Sequence, residues 1–289
     1  MREHNNYFRL RSYRIDFPKF VGGARDGEYI NLDFAMLVDL AIIDMRLRDI
    51  LLPMALDIEH FSKVRLMNEI EGHGEDGYTI VQDFFDDDGP NDGPGEARER
   101  ILGEIKRGNT SPYTHGLIES RPNDDWPVWE LMEVIPFGRF THFWMFCAKR
   151  FDNRQMRRDF FLLKSVKGLR NGCAHNNCII NDMRAGDGDI NVSHELLREL
   201  GKIGISKQTR DTKLSNERFV QIASALYLHH KVTSEGVRRS RGESLARLVK
   251  RMERNMAYYD HVGPAGSGLA FIANIIRGWY PDCFPVTES

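Results

Sequence analysis

The fold class of this 289-residue chain is decided by residues 31–69, which read NLDFAMLVDLAIIDMRLRDILLPMALDIEHFSKVRLMNE. Apolar side chains recur there every three or four residues from Phe34 to Ile58, a spacing typical of an amphipathic helix and not of a strand. We expect either one long helix or two consecutive helices, because Pro53 lacks the backbone N–H that a helix interior needs. The stretch therefore predicts a helical fold.

Helical spacing also dominates the rest of the chain, where few segments alternate with the two-residue period of a strand. We expect further helices at residues 96–107, 128–134, 140–150, 155–167, 193–202, 214–232, 243–260 and 268–277. Residues 72–95 are rich in Gly, Asp and Pro, which predicts a mobile acidic loop. The chain is therefore expected to be all-α, with a first domain over residues 1–185 and a basic helical region over residues 186–289 packed on it.

Charge is segregated along the chain, although the net charge is only −2. Residues 69–96 hold ten acidic and no basic side chains, whereas residues 149–170 hold eight basic and two acidic ones. Residues 198–254 hold fourteen basic and six acidic side chains. Such stretches are either solvated helix faces or sources of local fields that attract a polyanion. The first basic stretch runs directly into the motif described below, and this favours the second interpretation.

Cysteine and apolar content limit the class of protein. The four cysteines are too few for a disulfide framework in a chain of this length, which favours reduced thiols in a cytoplasm. Cys173, His175 and Cys178 lack the fourth ligand and the paired spacing of a structural zinc site, so we expect no metal and no other cofactor. No run reaches the roughly 20 apolar residues that cross a bilayer, and the first residues lack the apolar core of a signal peptide. We therefore expect a cytoplasmic protein with no membrane partner.

The segment from Arg170 to His175 reads RNGCAH and carries the residue types of metal-free RNA cleavage. Histidine moves protons near neutral pH, and arginine offers a planar cation to a phosphate. Asn171 and His175 share a helix face at i and i+4, whereas Arg170 lies about 140° from His175 around a regular helix. We expect Gly168 to end one helix, so that Asn171 starts the next and caps it or braces the imidazole. On spacing alone, a structural Arg and His at a helix junction is the commoner explanation.

Three further blocks of sequence accompany this motif. They are residues 7–13 (YFRLRSY), the Asp44-x3-Arg48 helix leading to Ile58-Glu59, and residues 126–134 (WPVWELMEV) followed by Phe137-Gly138. In this order, and together with RNGCAH, the blocks resemble the Abi-2 family of abortive-infection proteins over residues 7–182. The motif itself resembles the active site of HEPN ribonucleases.

The resemblance implies a HEPN-like helical bundle, RNA as substrate or ligand, and phage defence as a toxin restrained by an antitoxin-like regulator. Carried over by position, Arg170 is the phosphate-stabilising cation, His175 the proton-transfer residue and Asn171 their support. Glu59 is a candidate to orient Arg170, or alternatively forms a structural ion pair with Arg65. The candidate RNA-binding residues are the basic ones upstream of the motif: Arg154, Arg157, Arg158, Lys164 and Lys167.

These expectations combine into a metal-independent endoribonuclease. One chain supplies one motif histidine, so an acid and a base together require a homodimer with a composite site. The first alternative is a non-catalytic RNA-binding protein of the same fold that binds a dedicated small non-coding RNA. The second is a protein-binding adaptor. Many relatives continue the motif with a second His and an Arg, whereas Asn176, Asn177 and Cys178 follow here, which predicts slow cleavage or a variant route.

Overall fold

The computed structural model describes residues 7–89, 92–186, 190–260 and 263–284. It is 71% helical, with thirteen α-helices and no strand in this described part of the chain, so the predicted all-α class is confirmed. The helices are α1 (Tyr7–Ser12), α2 (Phe34–Gly72), α3 (Thr79–Phe85), α4 (Glu96–Arg107), α5 (His115–Glu119), α6 (Val128–Val134), α7 (Phe137–Arg150), α8 (Arg154–Ala174), α9 (His194–Lys202), α10 (Lys207–Lys213), α11 (Glu217–Val232), α12 (Glu235–Glu253) and α13 (Gly263–Trp279). None of these helices is long and apolar enough to span a membrane.

Helix α2 is a single helix of 39 residues, which decides between the two predictions for residues 31–69. It starts where the carboxylate of Asp33 accepts the backbone N–H of Ala35 at 2.7 Å. Pro53 lies inside α2, and the chain stays helical on both sides of it. Apolar side chains next to the proline are fully buried, namely Leu51, Met54 and Ala55. Their burial offsets the backbone hydrogen bond that Pro53 cannot donate.

The prediction of a loop over residues 72–95 is wrong for its central part, which forms α3. Asp76 starts this helix by accepting the backbone N–H of Thr79 at 2.8 Å. The apolar side chains of α3 are buried, namely Ile80, Val81, Phe84 and Phe85. Several carboxylates of the segment pair with arginines outside it: Asp86 with Arg98, Asp92 with Arg100, and Glu75 and Asp83 with Arg150. Residues 79–85 are therefore ordered by burial, and three arginines balance part of the acidic charge around them.

The C-terminal helices differ from the prediction mainly in length. Helix α12 starts at Glu235 instead of residue 243, because its first two turns are polar and leave no apolar spacing to detect. Helix α13 starts at Gly263 instead of residue 268. Helix α10 was not predicted, since its sequence KQTRDTK has no apolar residue. In contrast, α4 has the predicted limits of residues 96–107.

The chain divides into two compact units, and their limits do not coincide with the predicted boundary at residue 185. The first unit comprises residues 1–58 and 165–289, and the second comprises residues 59–164. In the first unit, the N-terminal half of α2 is joined to the C-terminal helices by one buried and one half-buried ion pair. Arg251 donates to the carboxylate of Asp39 at 2.5 Å, and Arg241 donates to that of Asp57 at 2.7 Å.

Candidate active site

Helix α8 carries the RNGCAH motif into its last turn without a break. It runs from Arg154 to Ala174, so the predicted helix end at Gly168 is wrong. Helix α11 approaches α8 closely at this glycine: a Cβ on residue 168 would lie 2.8 Å from the side-chain amide nitrogen of Gln221. Asn171 is consequently in the last turn of α8, and its predicted role as the N-terminal cap of a second helix is wrong too.

The C-terminus of α8 has the hydrogen bonds of a Schellman motif. The backbone N–H of Asn177 donates to the carbonyl of Gly172 at 2.8 Å, and that of Asn176 donates to the carbonyl of Cys173 at 2.9 Å. Asn176 has a φ of 57°, in the left-handed region that asparagine tolerates better than most residues. His175 is the last residue before the chain turns away, and it is exposed. The left-handed conformation required at position 176 thus explains why an asparagine follows His175.

Arg170 is half-buried and lies beside Asn171. Its Nη1 donates to Oδ1 of Asn171 across a long distance of 3.4 Å. The Nε of Arg170 is buried and has no hydrogen-bond partner within the described residues. Such a donor is uncommon in a folded protein, and an anion bound beside it would accept its proton. The Asn171 side chain therefore makes one long contact with Arg170, while the Asn171 carbonyl accepts the backbone N–H of His175 at 3.0 Å.

Two arginines from other sequence blocks hold the turn after His175. Arg9 on α1 donates to Oδ1 of Asn176 at 2.9 Å and also to the backbone carbonyl of that residue. Arg48 on α2 donates to the carbonyl of Asn177 at 3.0 Å, and its guanidinium pairs with the buried carboxylate of Asp44. Sequence reasoning placed Arg9 and Arg48 in the family blocks but assigned them no role. Those blocks were the only signal that could have pointed to them.

Buried carboxylates fix the segment that follows the turn. Asp44 accepts the backbone N–H groups of residues 179 and 180 at 2.8 and 3.0 Å. Asp16 likewise accepts those of residues 182 and 183 at 3.1 and 2.6 Å. Burial raises the pKa of Asp16 to about 6, although these two donors act in the opposite direction. Two of the three further blocks therefore meet the end of the motif, and their polar residues, together with Asp16, shape the backbone beyond His175.

The thiol of Cys178 lies in the same region and accepts a hydrogen bond from the Ser12 hydroxyl at 3.4 Å. Burial tends to raise the pKa of Cys178, but hydrogen bonds from Ser12, Tyr13 and Arg9 outweigh it and bring that pKa below its usual range. In contrast, burial raises the pKa of the Cys173 thiol to about 11. The surroundings of the Cys178 thiol thus favour its negative charge, whereas those of Asp16 and Cys173 disfavour theirs.

Glu59 lies in the second compact unit and forms an ion pair with Lys63 at 3.2 Å. Arg65, its alternative predicted partner, pairs with the buried Asp159 at 2.7 Å instead. The contacts of Glu59 are therefore those of an i,i+4 pair on the surface of α2.

The predicted RNA-binding side chains all lie on α8, but they differ in accessibility. Arg154, Arg158 and Lys164 are exposed, whereas Lys167 is half-buried. Arg157 is half-buried and pairs with Asp152 at 2.7 Å. Arg154, Arg158 and Lys164 can therefore reach a ligand directly, whereas Arg157 would first have to break its ion pair with Asp152.

Potential metal ligands do not converge in the part of the chain that the structure describes. No group of three or more His, Cys, Asp and Glu side chains is placed there to hold an ion. The chemistry available around the motif is that of an exposed imidazole, guanidinium groups and backbone amides.

Comparisons with known proteins identify one family. Residues 2–181 match the family model described as Abi-like protein, and this range covers more than half of the chain. It includes all three further blocks as well as the motif itself, and two of these blocks hold the turn after His175. Comparison with curated proteins and comparison with solved structures each gave no match. The chain belongs to the Abi-like protein family of abortive-infection proteins.

Proposed function

We propose that this protein is a metal-independent endoribonuclease of the HEPN type that acts in phage defence. Membership of the Abi-like family suggests abortive infection, in which a toxic activity halts phage propagation. The observation that carries the ribonuclease proposal is the end of α8. There an exposed His175 follows a half-buried Arg170 whose Nε is unpaired within the described residues.

The proposed reaction needs two proton transfers and one cation. The 2′-oxygen of a ribose attacks the adjacent phosphorus, the bond from phosphorus to the 5′-oxygen breaks, and a 2′,3′-cyclic phosphate and a 5′-hydroxyl form. A base removes the proton from the 2′-hydroxyl, and an acid protonates the departing 5′-oxygen; His175 performs one of these transfers. Arg170 stabilises the charge that develops on the phosphate oxygens. Arg9 and Arg48 keep the turn after His175 in place.

A second chain supplies the second histidine in this proposal. Helix α2 has four large apolar side chains that are unusually exposed, and three of them recur at intervals of eleven residues: Phe34 at 42%, Met45 at 45% and Leu56 at 48%. Eleven residues make about three turns, so these side chains lie along one helix face. The row is symmetrical about Met45. Two antiparallel copies of α2 would thus place Phe34 of each chain opposite Leu56 of the other, as an isologous interface requires.

The ribonuclease proposal is tested with end-labelled single-stranded RNA in EDTA. We expect the native protein to produce fragments ending in 2′,3′-cyclic phosphate. His175→Ala and Arg170→Ala should each lower the cleavage rate by roughly 100-fold or more, the usual contribution of a proton-transfer group or a charge-stabilising donor. His60→Ala is the matched control, because His60 is also exposed but lies elsewhere. Cleavage that survives His175→Ala at the native rate would rule out the assigned role.

The dimer is tested by placing a charge in the exposed row on α2. Met45→Glu should shift the protein from dimer to monomer in sedimentation experiments and reduce RNA cleavage in parallel. Val64→Glu is the control, because Val64 is also 45% exposed but lies about 100° around the same helix from the row. A Met45→Glu protein that remains dimeric and active would contradict the assigned interface.

The second candidate function is RNA binding without cleavage. It is favoured by the exposed cations Arg154, Arg158 and Lys164 on α8 and by Asn176 in place of a second histidine. It predicts that the native protein and His175→Ala bind RNA equally and that neither cuts it. Binding should weaken steeply as salt rises, because release of counterions drives it. An RNA affinity that is absent, or that does not respond to salt, would exclude both RNA-based functions and leave the adaptor.

A further inference from the structure

A surface cavity of about 610 Å³ lies in the first compact unit, beside α1 and away from the side chains assigned to cleavage. This volume falls in the range of about 300–1,000 Å³ that is usual for small-ligand sites. One wall consists of Phe8, Arg11, Ser12 and Ile15, which follow each other at helical spacing. Lys19 and Tyr29, which follow α1 in the chain, also line the cavity.

The cavity is strongly basic. Among the residues that the structure describes, Arg11, Arg14, Lys19 and Arg184 line it and no acidic side chain does. Two carboxylates close in sequence to the lining residues are already engaged: Asp182 pairs with Arg184 at 2.7 Å, and Asp16 accepts the backbone N–H groups described above. Cations concentrated in a concave surface create a positive potential that attracts an anion.

Aromatic rings accompany these cations. Phe8 is 76% exposed, which is a large fraction for a phenylalanine in a folded unit. The ring of Tyr29 lies against two cations, with the Arg14 guanidinium carbon 4.7 Å and the Lys19 ammonium nitrogen 4.8 Å from its centre. Backbone hydrogen bonds between residues 18–20 and 27–30 fix this wall. Cations next to an exposed aromatic ring are what a single-stranded nucleic acid needs, with the phosphate on the cations and the base on the ring.

Helix α1 connects this cavity to the candidate active site. The face bearing Phe8 and Arg11 lines the cavity, whereas the adjacent Arg9 contacts Asn176, the residue after His175. Ser12 belongs to both places, because it lines the cavity and donates to Cys178. A helix with its side chains is only about 10–12 Å across, so an RNA strand at His175 can place a neighbouring nucleotide in the cavity.

We infer that the cavity binds one nucleotide of a single-stranded RNA, with its phosphate on Arg11 and Lys19 and its base stacked on Phe8. This inference rests on RNA as the ligand in the proposed function. It adds a subsite that selects single strands, because a base paired within a duplex cannot turn out to stack on the phenylalanine. These residues lie outside the set on α8 that the sequence had suggested for RNA binding.

The test measures binding of a fluorescent single-stranded RNA of about 12 nucleotides, within the usual site sizes for such proteins, to the full-length chain carrying His175→Ala. Arg11→Ala and Lys19→Ala should each reduce the slope of log affinity against log salt by about 0.7, as expected for one lost phosphate contact. Lys207→Ala, at an exposed lysine of α10, should leave the slope unchanged. If the Arg11 and Lys19 variants behave like Lys207→Ala, the inference is overturned.

Stacking on Phe8 is tested with the same RNA and with an otherwise identical abasic strand. Phe8→Ala should weaken binding of the normal RNA by about fivefold or more, the lower range for loss of one stacked base. It should have little effect on the abasic strand, which has nothing to stack. Tyr113→Ala, at a tyrosine that is 94% exposed, is the aromatic control. An equal loss of affinity for both strands would overturn the assignment of Phe8.

Cleavage by the protein with an intact motif separates failure of this inference from failure of the proposed function. If that protein cuts RNA while the cavity variants bind and cut as well as it does, the ribonuclease stands and the subsite falls. If the cavity variants bind RNA weakly and the unaltered protein cuts nothing, the subsite stands with the RNA-binding alternative. Displacement of the RNA by polyglutamate as readily as by unlabelled RNA would show a general polyanion surface and overturn the subsite.

Discussion

Asp44 shows how a single side chain connects sequence to the candidate site. Its side chain is fully buried, pairs with Arg48 and accepts two backbone N–H groups beyond the motif. A buried carboxylate is stable only when such partners compensate for its lost hydration. Burial also lowers the pKa of Arg48 from its ordinary value. The pair consequently depends on both members, and it holds the turn after His175 through Arg48.

We predict that Asp44→Asn destabilises the protein by about 3–5 kcal/mol, because it leaves the Arg48 cation buried without its counter-charge. The measurement is chemical denaturation followed by circular dichroism. Asp49→Asn is the control, since Asp49 is exposed on the same helix, and its effect should stay within about 0.5 kcal/mol. Similar stabilities for the two variants would show that the Asp44–Arg48 pair contributes little.

At the scale of the helix, the continuity of α8 decides how the motif is presented. Because no break occurs at Gly168, Arg170 and His175 belong to the same helix end, and Asn176 ends it in the left-handed conformation. Arg170 therefore lies towards the packed side of α8, whereas His175 is exposed. Both residues can meet one phosphate only at the tip of the helix. This geometry favours a site that is completed by another chain, as proposed above.

The continuity of α8 predicts that Gly168→Ala is tolerated. Alanine is favoured over glycine inside a helix by about 1 kcal/mol, and the atom nearest to the new Cβ is the flexible end of Gln221. We expect an unfolding free energy equal to or slightly above that of the native protein. Gly266→Ala is the contrasting variant, because its Cβ would lie 2.8 Å from the backbone carbonyl oxygen of Tyr259, which cannot move aside cheaply.

Gly266→Ala should cost about 1–3 kcal/mol through this overpacking, which thermal or chemical denaturation of both variants will measure. If Gly168→Ala is instead the more damaging change, residue 168 has the special backbone conformation of a helix end. That outcome would contradict the continuous α8.

At the scale of the molecule, the first compact unit is tied together by a buried polar cluster. His229 on α11 is fully buried, and its imidazole Nε2 lies 3.3 Å from the Asp57 carboxylate of α2. Its Nδ1 lies 3.1 Å from the hydroxyl oxygen of Tyr280, and Arg241 on α12 donates to Asp57. Burial lowers the pKa of His229 from 6.5 to about 4, although Asp57 acts in the opposite direction. The two segments of the first unit, residues 1–58 and 165–289, thus contribute titratable side chains to the same cluster.

We predict that this cluster makes the stability depend on pH. The folded protein binds a proton on His229 less readily than the unfolded chain does, so the contribution of His229 is complete above pH 6.5. It is lost as the pH falls from 6.5 through about 4, and its full size is on the order of 3 kcal/mol. Asp16 acts in the opposite direction: its stabilising contribution is lost as the pH rises from 3.8 to about 6.

His229→Gln tests this dependence by denaturation at several pH values between 4 and 7. The variant should lose less stability on acidification than the native protein, whereas His60→Gln, at an exposed histidine, should keep the native profile. Equal pH profiles for the native protein and His229→Gln would contradict the role assigned to His229. Comparison between variants removes the contribution of Asp16, which is present in all of them.

The sequence by itself determined the all-α class, the limits of α4 and, through the order of its blocks, the family. These features follow from local spacing and from residue identity, which a single chain displays directly. It also indicated that Arg170, Asn171 and His175 lie close together in space, because they are close together in the sequence. It could not determine that Arg9 and Arg48 hold the turn after His175, since those contacts join residues more than a hundred positions apart.

Only the tertiary structure decided the continuity of α8, the helix within residues 72–95 and the cavity beside α1. Gly168 remains helical because α11 packs against it. The presence of a glycine had by itself indicated a helix end at this residue. Helix α3 forms in an acidic stretch because distant arginines balance its charge and its four apolar side chains are buried. In each case, packing between distant segments outweighed the local preference of the chain, since burial and charge pairing contribute more than one residue's conformational propensity.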